Sequence, residues 1–248
     1  MDLDRALARI GYDGDRVPTL GALAALQRAF LLSVPFENLD IHLGRPITVA
    51  GDHAFTKIVG AGRGGFCYEC NGLFADMLTA IGFTVTMLSA RMVAGDRVGV
   101  PFDHMVLRVD LDRPYLVDVG NGESCREPLP LDDSTESRAE GRTYRAGVHE
   151  DALALWFRDG HDEWAPRFLF DLAPRHREEF AERCHHHQTS PESHFTQKRL
   201  ATLATAGGRL TLVERQFTVR DGDRCDVLDL VSDDEWHRCL HDRFGIVL

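Results

Sequence analysis

"RGGFCYECNGLF", residues Arg63–Phe74, decides how this chain is read. A glycine-rich turn runs into Cys67, and Cys70 follows three residues later. Leu73, Phe74, Met77, Leu78 and Ile81 then recur at the spacing of one helix face, and Gly82 closes the run. The pattern predicts a helix that starts near Cys67 and stops at Gly82. A cysteine in the first turn of a helix is chemically distinctive, because the helix's partial positive charge favours a thiolate there. Three chemistries fit the pair: a redox dithiol, half of a zinc site, or a single nucleophile with an inert neighbour. The chain has no second C-x-x-C to complete a zinc site. The single-nucleophile reading makes a further demand, for a histidine as base and a carboxylate to orient it.

Two later stretches offer those groups. "PFDHMVLRV" puts His104 at the start of an apolar strand, and "YLVDVG" puts Asp118 at the end of another. The tight turn "DLDRP" between them predicts a hairpin, so the two strands are neighbours. A carboxylate at the end of a buried strand needs a partner, since burying it alone costs several kcal/mol. Histidines and strand-end aspartates are each common; both together with a cysteine at a helix start are not.

Composition removes other classes. With 248 residues, 44% of them hydrophobic and 27% charged, the chain has the make-up of an ordinary soluble protein with a large core. A formal charge of −11 without a long basic run argues against nucleic acid as a partner. No apolar run of about 18 residues suggests a membrane span. The start, "MDLDRALARIGYDGD", has no apolar signal-peptide core, so a cytoplasmic location is expected. Six cysteines in a chain of this size read as free thiols, metal ligands or a catalytic group rather than as a disulfide scaffold. "GAGRGG", Gly60–Gly65, fits the dinucleotide pattern G-x-G-x-x-G, but neither a preceding strand nor a following acid supports it. "CHHHQTS", Cys184–Ser190, looks rich in metal ligands. Consecutive helical residues fan out by roughly 100°, so the three histidines cannot converge on one ion.

Along the chain, "DRALARIGY" and "TLGALAALQRAFLLSV" read as helices, the second capped by Thr19. "FTVTMLSARMV", "DHMVLRVDL", "RPYLVDVG", "RTYRAG", "ALALWFR" and "PRFLFDL" read as strands, with "DDSTESRAEGR" as a surface loop. A charged helix, "PRHREEFAERCHHH", opens the last third near Pro174, followed by a hairpin in "GGRLTLVERQFTVRDG". A final helix in "SDDEWHRCLHDRF" begins with a capping box of Ser232 and Glu235. Helices, then antiparallel strands, then a mixed end argue for an α+β fold rather than a doubly wound sheet.

"VPFENLDI", "RGGFCYECNGLF", "DHMVLRV", "YLVDVGNG" and, more loosely, "TSPESHFTQKRLATLATAGGRLTL" resemble the motifs of arylamine N-acetyltransferases in order and spacing. The likeness spans nearly the whole chain. It implies a helical bundle over residues 1–82 carrying the nucleophile, an antiparallel β-barrel over 83–172 carrying histidine and aspartate, and an α/β lid over 173–248, around a cysteine-protease-like core. Cys67, His104 and Asp118 would then be the catalytic groups, with Cys70 a bystander. Glu37 and Arg63 would form a structural ion pair, and Asn71 would hydrogen-bond behind the site. Phe36, Met92, Asn121 and Phe195 would line the acceptor pocket. The resemblance also implies acetyl-CoA as co-substrate, no tightly bound cofactor, no metal, and an arylamine, hydrazine or hydroxylamine as acceptor. Many relatives read "VDVGFG" where this chain reads "VDVGNG"; Asn121 in place of a large aromatic would widen or repolarise the pocket. A wider pocket would suit an amide synthase of the same family, which closes a macrolactam on a carrier-protein-bound polyketide. A Cys-His-Asp hydrolase of the transglutaminase or papain kind shares the order of the three groups but not the flanking motifs, and a pure binding module would need none of them.

Overall fold

The structure, a computed structural model, describes residues 1–123, 125–132 and 135–248. Helices α1 (Leu3–Arg9) and α2 (Leu20–Ser33) come first, with Asp2 and Thr19 accepting the N–H groups of Arg5 and Ala22 as caps. A two-residue strand β1 (Phe36–Glu37) and a single turn α3 (Leu39–His42) follow. Then α4 (Gly51–Phe55) runs on into a π-helical turn, Thr56–Gly60. Helix α5 (Cys67–Ile81) ends at Gly82, as its pattern predicts. Its apolar face, with Cys70, Leu73, Phe74 and Leu78, packs against Leu7, Leu23, Leu26 and Phe30 of the first two helices.

Strands β2 (Thr84–Ala94), β3 (Arg97–Val98), β4 (His104–Asp110), β5 (Pro114–Val117) and β6 (Leu129–Pro130) come next. After them run β7 (Ser137–Ala139), β8 (Arg142–His149), β9 (Ala152–Asp159) and β10 (Ala165–Phe170). Every pairing is antiparallel, in the order β6-β5-β4-β2-β10-β9-β8-β7, with β3 beside the end of β2. The sheet curls until β6 meets β8, enclosing Leu88, Val106, Leu116, Tyr144, Leu155 and Phe168. The polar stretch read as a loop is part strand, since β7 pairs with β8 inside it; Asp133 and Ser134 of that stretch lie outside the described residues.

Strand β4 explains why its sequence is apolar nearly throughout. Leu107 and Val109 face the helices, whereas Val106 faces the barrel interior. Both faces are buried, so the usual alternation of polar and apolar residues is absent. His104 shares the barrel side with Val106 by the two-residue period of a strand.

The last third opens with a 3₁₀ turn, Arg177–Phe180, rather than a full helix from Pro174, and continues in α6 (Ala181–Thr189) and α7 (His194–Gln197). Strands β11 (Leu200–Ala204), β12 (Gly208–Val213), β13 (Gln216–Asp221) and β14 (Arg224–Asp229) form a meander covered by α8 (Asp233–Phe244). The capping box of α8 is offset: Ser232 takes the Glu235 N–H at 3.2 Å, but the Glu235 carboxylate takes Val231's N–H at 2.9 Å. The meander does not end within the last third. Its edge strand β11 pairs with β1, Phe36 opposite Thr202.

The glycines of "GAGRGG" follow a helical turn, not a strand, so the βαβ setting of a dinucleotide site is absent there. Gly64 has a packing reason instead. A Cβ at that position would sit 2.1 Å from the Pro35 carbonyl oxygen, which already accepts the Gly65 N–H at 3.1 Å. Gly64→Ala should destabilise the fold by about 3 kcal/mol, because a backbone atom cannot swing aside. The midpoint of urea unfolding measures this, and an unshifted midpoint would show that the loop can open at no cost.

Candidate active site

Cys67 is the first residue of α5, and Phe66 before it brings no side-chain acceptor to the helix start. The first N–H groups of a helix have no partner within it, so the Cys67 N–H is left available at the cleft. Glu69 closes the turn from the other side, its carboxylate accepting the Phe66 N–H at 3.1 Å. Cys67 packs with Phe36, Phe66, Tyr68, Met105 and Phe195 and is 3% exposed. Cys70 belongs to the helical core instead, its thiol donating to the Gly65 carbonyl at 3.2 Å.

Met105 packs in the same cluster as Cys67, which ties the helix start to the strand that begins at His104. His104 Nε2 lies 2.9 Å from Asp118 Oδ2. Strand register accounts for the meeting: Leu107 stands opposite Val117, so continuing the ladder puts Asp118 opposite Val106, on the His104 face and one diagonal step away. Asn71, one helical turn after Cys67, holds the assembly from behind. Its Nδ2 donates to the Met105 carbonyl at 2.7 Å and to Asp118 Oδ1 at 2.9 Å, and its Oδ1 accepts the Val119 N–H at 2.9 Å. The Gly120 N–H also donates to Asp118 Oδ1, at 2.8 Å. A Cβ on Gly120 would lie 2.8 Å from the Cys67 Cα, so only glycine allows this approach.

Burial alone would raise the Asp118 carboxyl. The charge and hydrogen bond of His104, with the bonds from Asn71 and Gly120, outweigh it and hold the group below its ordinary value. Cys67 moves the other way from what a helix start predicts. Burial pushes its thiol well up, Cys184, Asp118 and Cys70 add to that, and only the Met105 N–H opposes them. Desolvation of the thiolate outweighs the helix dipole, which is a fraction of a charge.

Of the residues expected to line an acceptor pocket, Phe36 and Phe195 meet at 6.2 Å between ring centroids, in the cluster around Cys67. Met92 lies in the barrel cluster, paired with Phe168, whose ring is 5.4 Å from the His104 ring. Asn121 does not simply leave room where relatives carry an aromatic, for its Oδ1 accepts from Arg167 Nη2 at 3.3 Å.

Glu37 and Arg63 pair, Nη2 to Oε1 at 2.7 Å, but as two members of a buried group of five. Lys57 lies 3.0 Å from both Asp40 and Glu69, and Arg63 also reaches Asp40 at 3.1 Å. Lys57 is one of only two lysines in the chain and sits in the apolar "HAFTKIVG"; that scarcity is the signal that could have marked it. Within the buried five, three carboxylates face two cations, and Arg45 reaches Asp40 at 3.8 Å from the exposed side. Burial, reinforced by Glu37, pushes Glu69 up to about 7 against the pull of Lys57 and the Phe66 N–H. A proton on Glu69 thus stabilises the fold fully below about 4.5, and that share is lost as the pH rises through about 7. Glu69→Gln should flatten the stability profile across this window in urea unfolding. Parallel profiles for variant and wild type would mean that Glu69 is not the group that titrates.

Among the described residues, those of "CHHHQTS" included, no three His, Cys, Asp or Glu side chains cluster to hold an ion. His187 is instead buried between Tyr68 and Phe195, pushed down to about 4 by burial and by Arg183. No helix among the described residues is long and apolar enough to cross a membrane.

Comparison with known proteins gives the family. A family profile described as N-acetyltransferase matches residues 19–248. The chain is 35% identical to the arylamine N-acetyltransferase of Mycolicibacterium smegmatis, over 100% of this chain and 93% of the relative. It is 30% identical to the proansamycin X synthase of Amycolatopsis mediterranei, over 95% of this chain and 94% of the relative. The arylamine N-acetyltransferase of Mycobacterium marinum, solved in complex with CoA, superposes with a TM-score of 0.91 at 31% identity, covering 99% of this chain and 93% of that one. The α+β architecture with its curled antiparallel sheet is the one these solved structures share, and the chain belongs to the arylamine N-acetyltransferase family.

Proposed function

We propose that the protein transfers an acetyl group from acetyl-CoA to an arylamine, hydrazine or hydroxylamine through an acetyl-cysteine on Cys67. The observation that carries this reading is the 2.9 Å His104–Asp118 bond beside the helix start at Cys67, which packs with Met105, the residue next to His104. His104 spends Nε2 on Asp118, which leaves Nδ1 for the thiol. Proton transfer from Cys67 to Nδ1 creates a thiolate and an imidazolium together, each stabilising the other, with Asp118 balancing the imidazolium.

The thiolate attacks the thioester carbon, the bond from that carbon to the CoA sulfur breaks, and His104 returns its proton to the departing thiolate. The acceptor nitrogen then attacks the acetyl carbon and the bond to Cys67 breaks. The proton lost by the amine passes through His104 to restore the resting pair. Both tetrahedral states carry an oxyanion that the Cys67 N–H is placed to receive. Residues 1–82, 83–172 and 173–248 would contribute the nucleophile, its base and carboxylate, and the Phe195 wall respectively. All six cysteines are free, which fits a cytoplasmic, reducing setting.

Intact-mass analysis after mixing with acetyl-CoA tests the first half-reaction: a single acetyl adduct, discharged by an arylamine, is expected. Absence of the adduct would leave the amide-synthase reading, suggested by the likeness to proansamycin X synthase, as the better one.

Alkylation tests the ion pair. Iodoacetamide should react with Cys67 at pH 6 far faster than with an ordinary thiol of pKa about 8.5, and His104→Gln should remove the advantage. A wild-type profile with one step at or above about 8.5 would mean that burial wins and no resting pair exists.

A further inference from the structure

Arg167 is the extra residue of a bulge in β10: Pro166 pairs with Trp156 and Phe168 with Leu155, leaving Arg167 without a partner across the ladder. A bulge re-aims the side chain it carries. Here the next residue, Phe168, packs against the His104 ring, while the Arg167 guanidinium reaches Asn121. Asn121 lies between Gly120, which abuts Cys67, and Gly122, whose Cβ position is 3.5 Å from Phe36. The pair therefore borders the cleft at the level of the nucleophile.

Two donors there are unused. Arg167 Nε and Asn121 Nδ2 are both buried with no hydrogen-bond partner among the described residues. Arg167 makes no salt bridge among them either, and the nearby Glu123 is taken by Arg142 at 2.5 Å. A half-buried guanidinium with spare donors, which feels Glu123 only beyond ion-pair contact, is complementary to a planar anion. In a chain of net charge −11, such a local cation is what would hold an anionic ligand.

We propose that Arg167 and Asn121 form an anion subsite that selects acceptor amines carrying a carboxylate, with the amine directed at the acetyl group on Cys67. This rests on the acetyl-transfer reading of the site. The phosphates of a CoA donor are a full pantetheine arm away from its thioester, so they do not reach a subsite beside Cys67.

The test compares 3- and 4-aminobenzoate with the corresponding neutral aminobenzamides as acceptors. Forming the ratio of kcat/KM within each pair, and then between wild type and variant, cancels intrinsic amine reactivity. Arg167→Gln should lower that ratio roughly ten- to a hundredfold, mainly through the acceptor KM, and Arg167→Lys should recover part of it. An unchanged ratio, or an effect on the KM of acetyl-CoA instead, overturns the subsite. Calorimetric titration of both aminobenzoates into Cys67→Ala protein supplies a readout without turnover. Binding lost in the Arg167→Gln background supports the subsite even if no acceptor is acetylated, in which case the transfer reading alone falls. Transfer that proceeds without Arg167-dependent preference or binding leaves that reading intact and removes the subsite.

Discussion

Cys67→Ala is expected to lower acetyl transfer by about 10⁴- to 10⁶-fold and to abolish the acetyl adduct, while Cys70→Ala keeps most of the activity. The two thiols differ in surroundings rather than in type. Cys67 opens onto the cluster of Phe36, Met105 and Phe195, whereas Cys70 is 1% exposed, packs with Leu73 and Phe74, and has the Gly65 carbonyl as its hydrogen-bond acceptor. Burial pushes both thiols well up, so what separates them is placement: Cys70 is turned into the helical core, whereas Cys67 packs beside Met105, next to His104. The measurement is steady-state transfer with matched thermal unfolding. Equal loss in both variants would point to a dithiol and remove the single-nucleophile mechanism.

The second large effect is at Asp118. Oδ1 already accepts two hydrogen bonds, from Asn71 Nδ2 and the Gly120 N–H, so in Asp118→Asn the amide nitrogen cannot occupy that position without meeting two donors. It must turn toward His104, where a donor now opposes the Nε2 hydrogen. The imidazole then carries its proton on Nδ1, the nitrogen that must accept from Cys67. A loss of about 10⁴-fold in transfer is expected, with the fold retained because shape and size are conserved. A second arm reads Cys67 alkylation at pH 6, which should fall to the level of His104→Gln. If the variant loses less than tenfold, Asp118 does not set the tautomer.

Much of this site was legible because its residues obey local rules. Helix α5 announces itself through an apolar face and a terminal glycine, and β4 and β5 through apolar runs around a tight turn. Once those elements are placed, strand register brings Asp118 to His104 with no further information. What escaped was set by long-range packing. Two residues, Phe36–Glu37, are too few for a strand pattern, and β14 is exposed throughout, so neither carries a periodicity to read. Arg167 in "PRFLF" went unmarked because a bulge breaks the alternation only in three dimensions. Lys57 went unmarked, since nothing beyond its scarcity says that three carboxylates will surround it. The burial that opposes a thiolate at Cys67 went unread for a related reason: a helix start is visible in sequence, but the depth at which it is buried is not.

Asn38 carries a consequence for the order of events as the chain folds. Its Nδ2 donates to the carbonyls of Phe195 and Lys198, across 157 and 160 residues of sequence, and its Oδ1 takes the Leu200 N–H at 2.7 Å. Closing so long a loop is entropically costly before any contact rewards it, so bonds of this span form late. Cys67, His104 and Asp118 all emerge from the ribosome well before Phe195. On the proposed mechanism a nascent chain would hold the groups that form the thiolate before it holds the Phe195 wall. Until Asn38 finds Leu200, the sulfur would then stand open to any passing electrophile, and the speed of that one closure would set how long the exposure lasts.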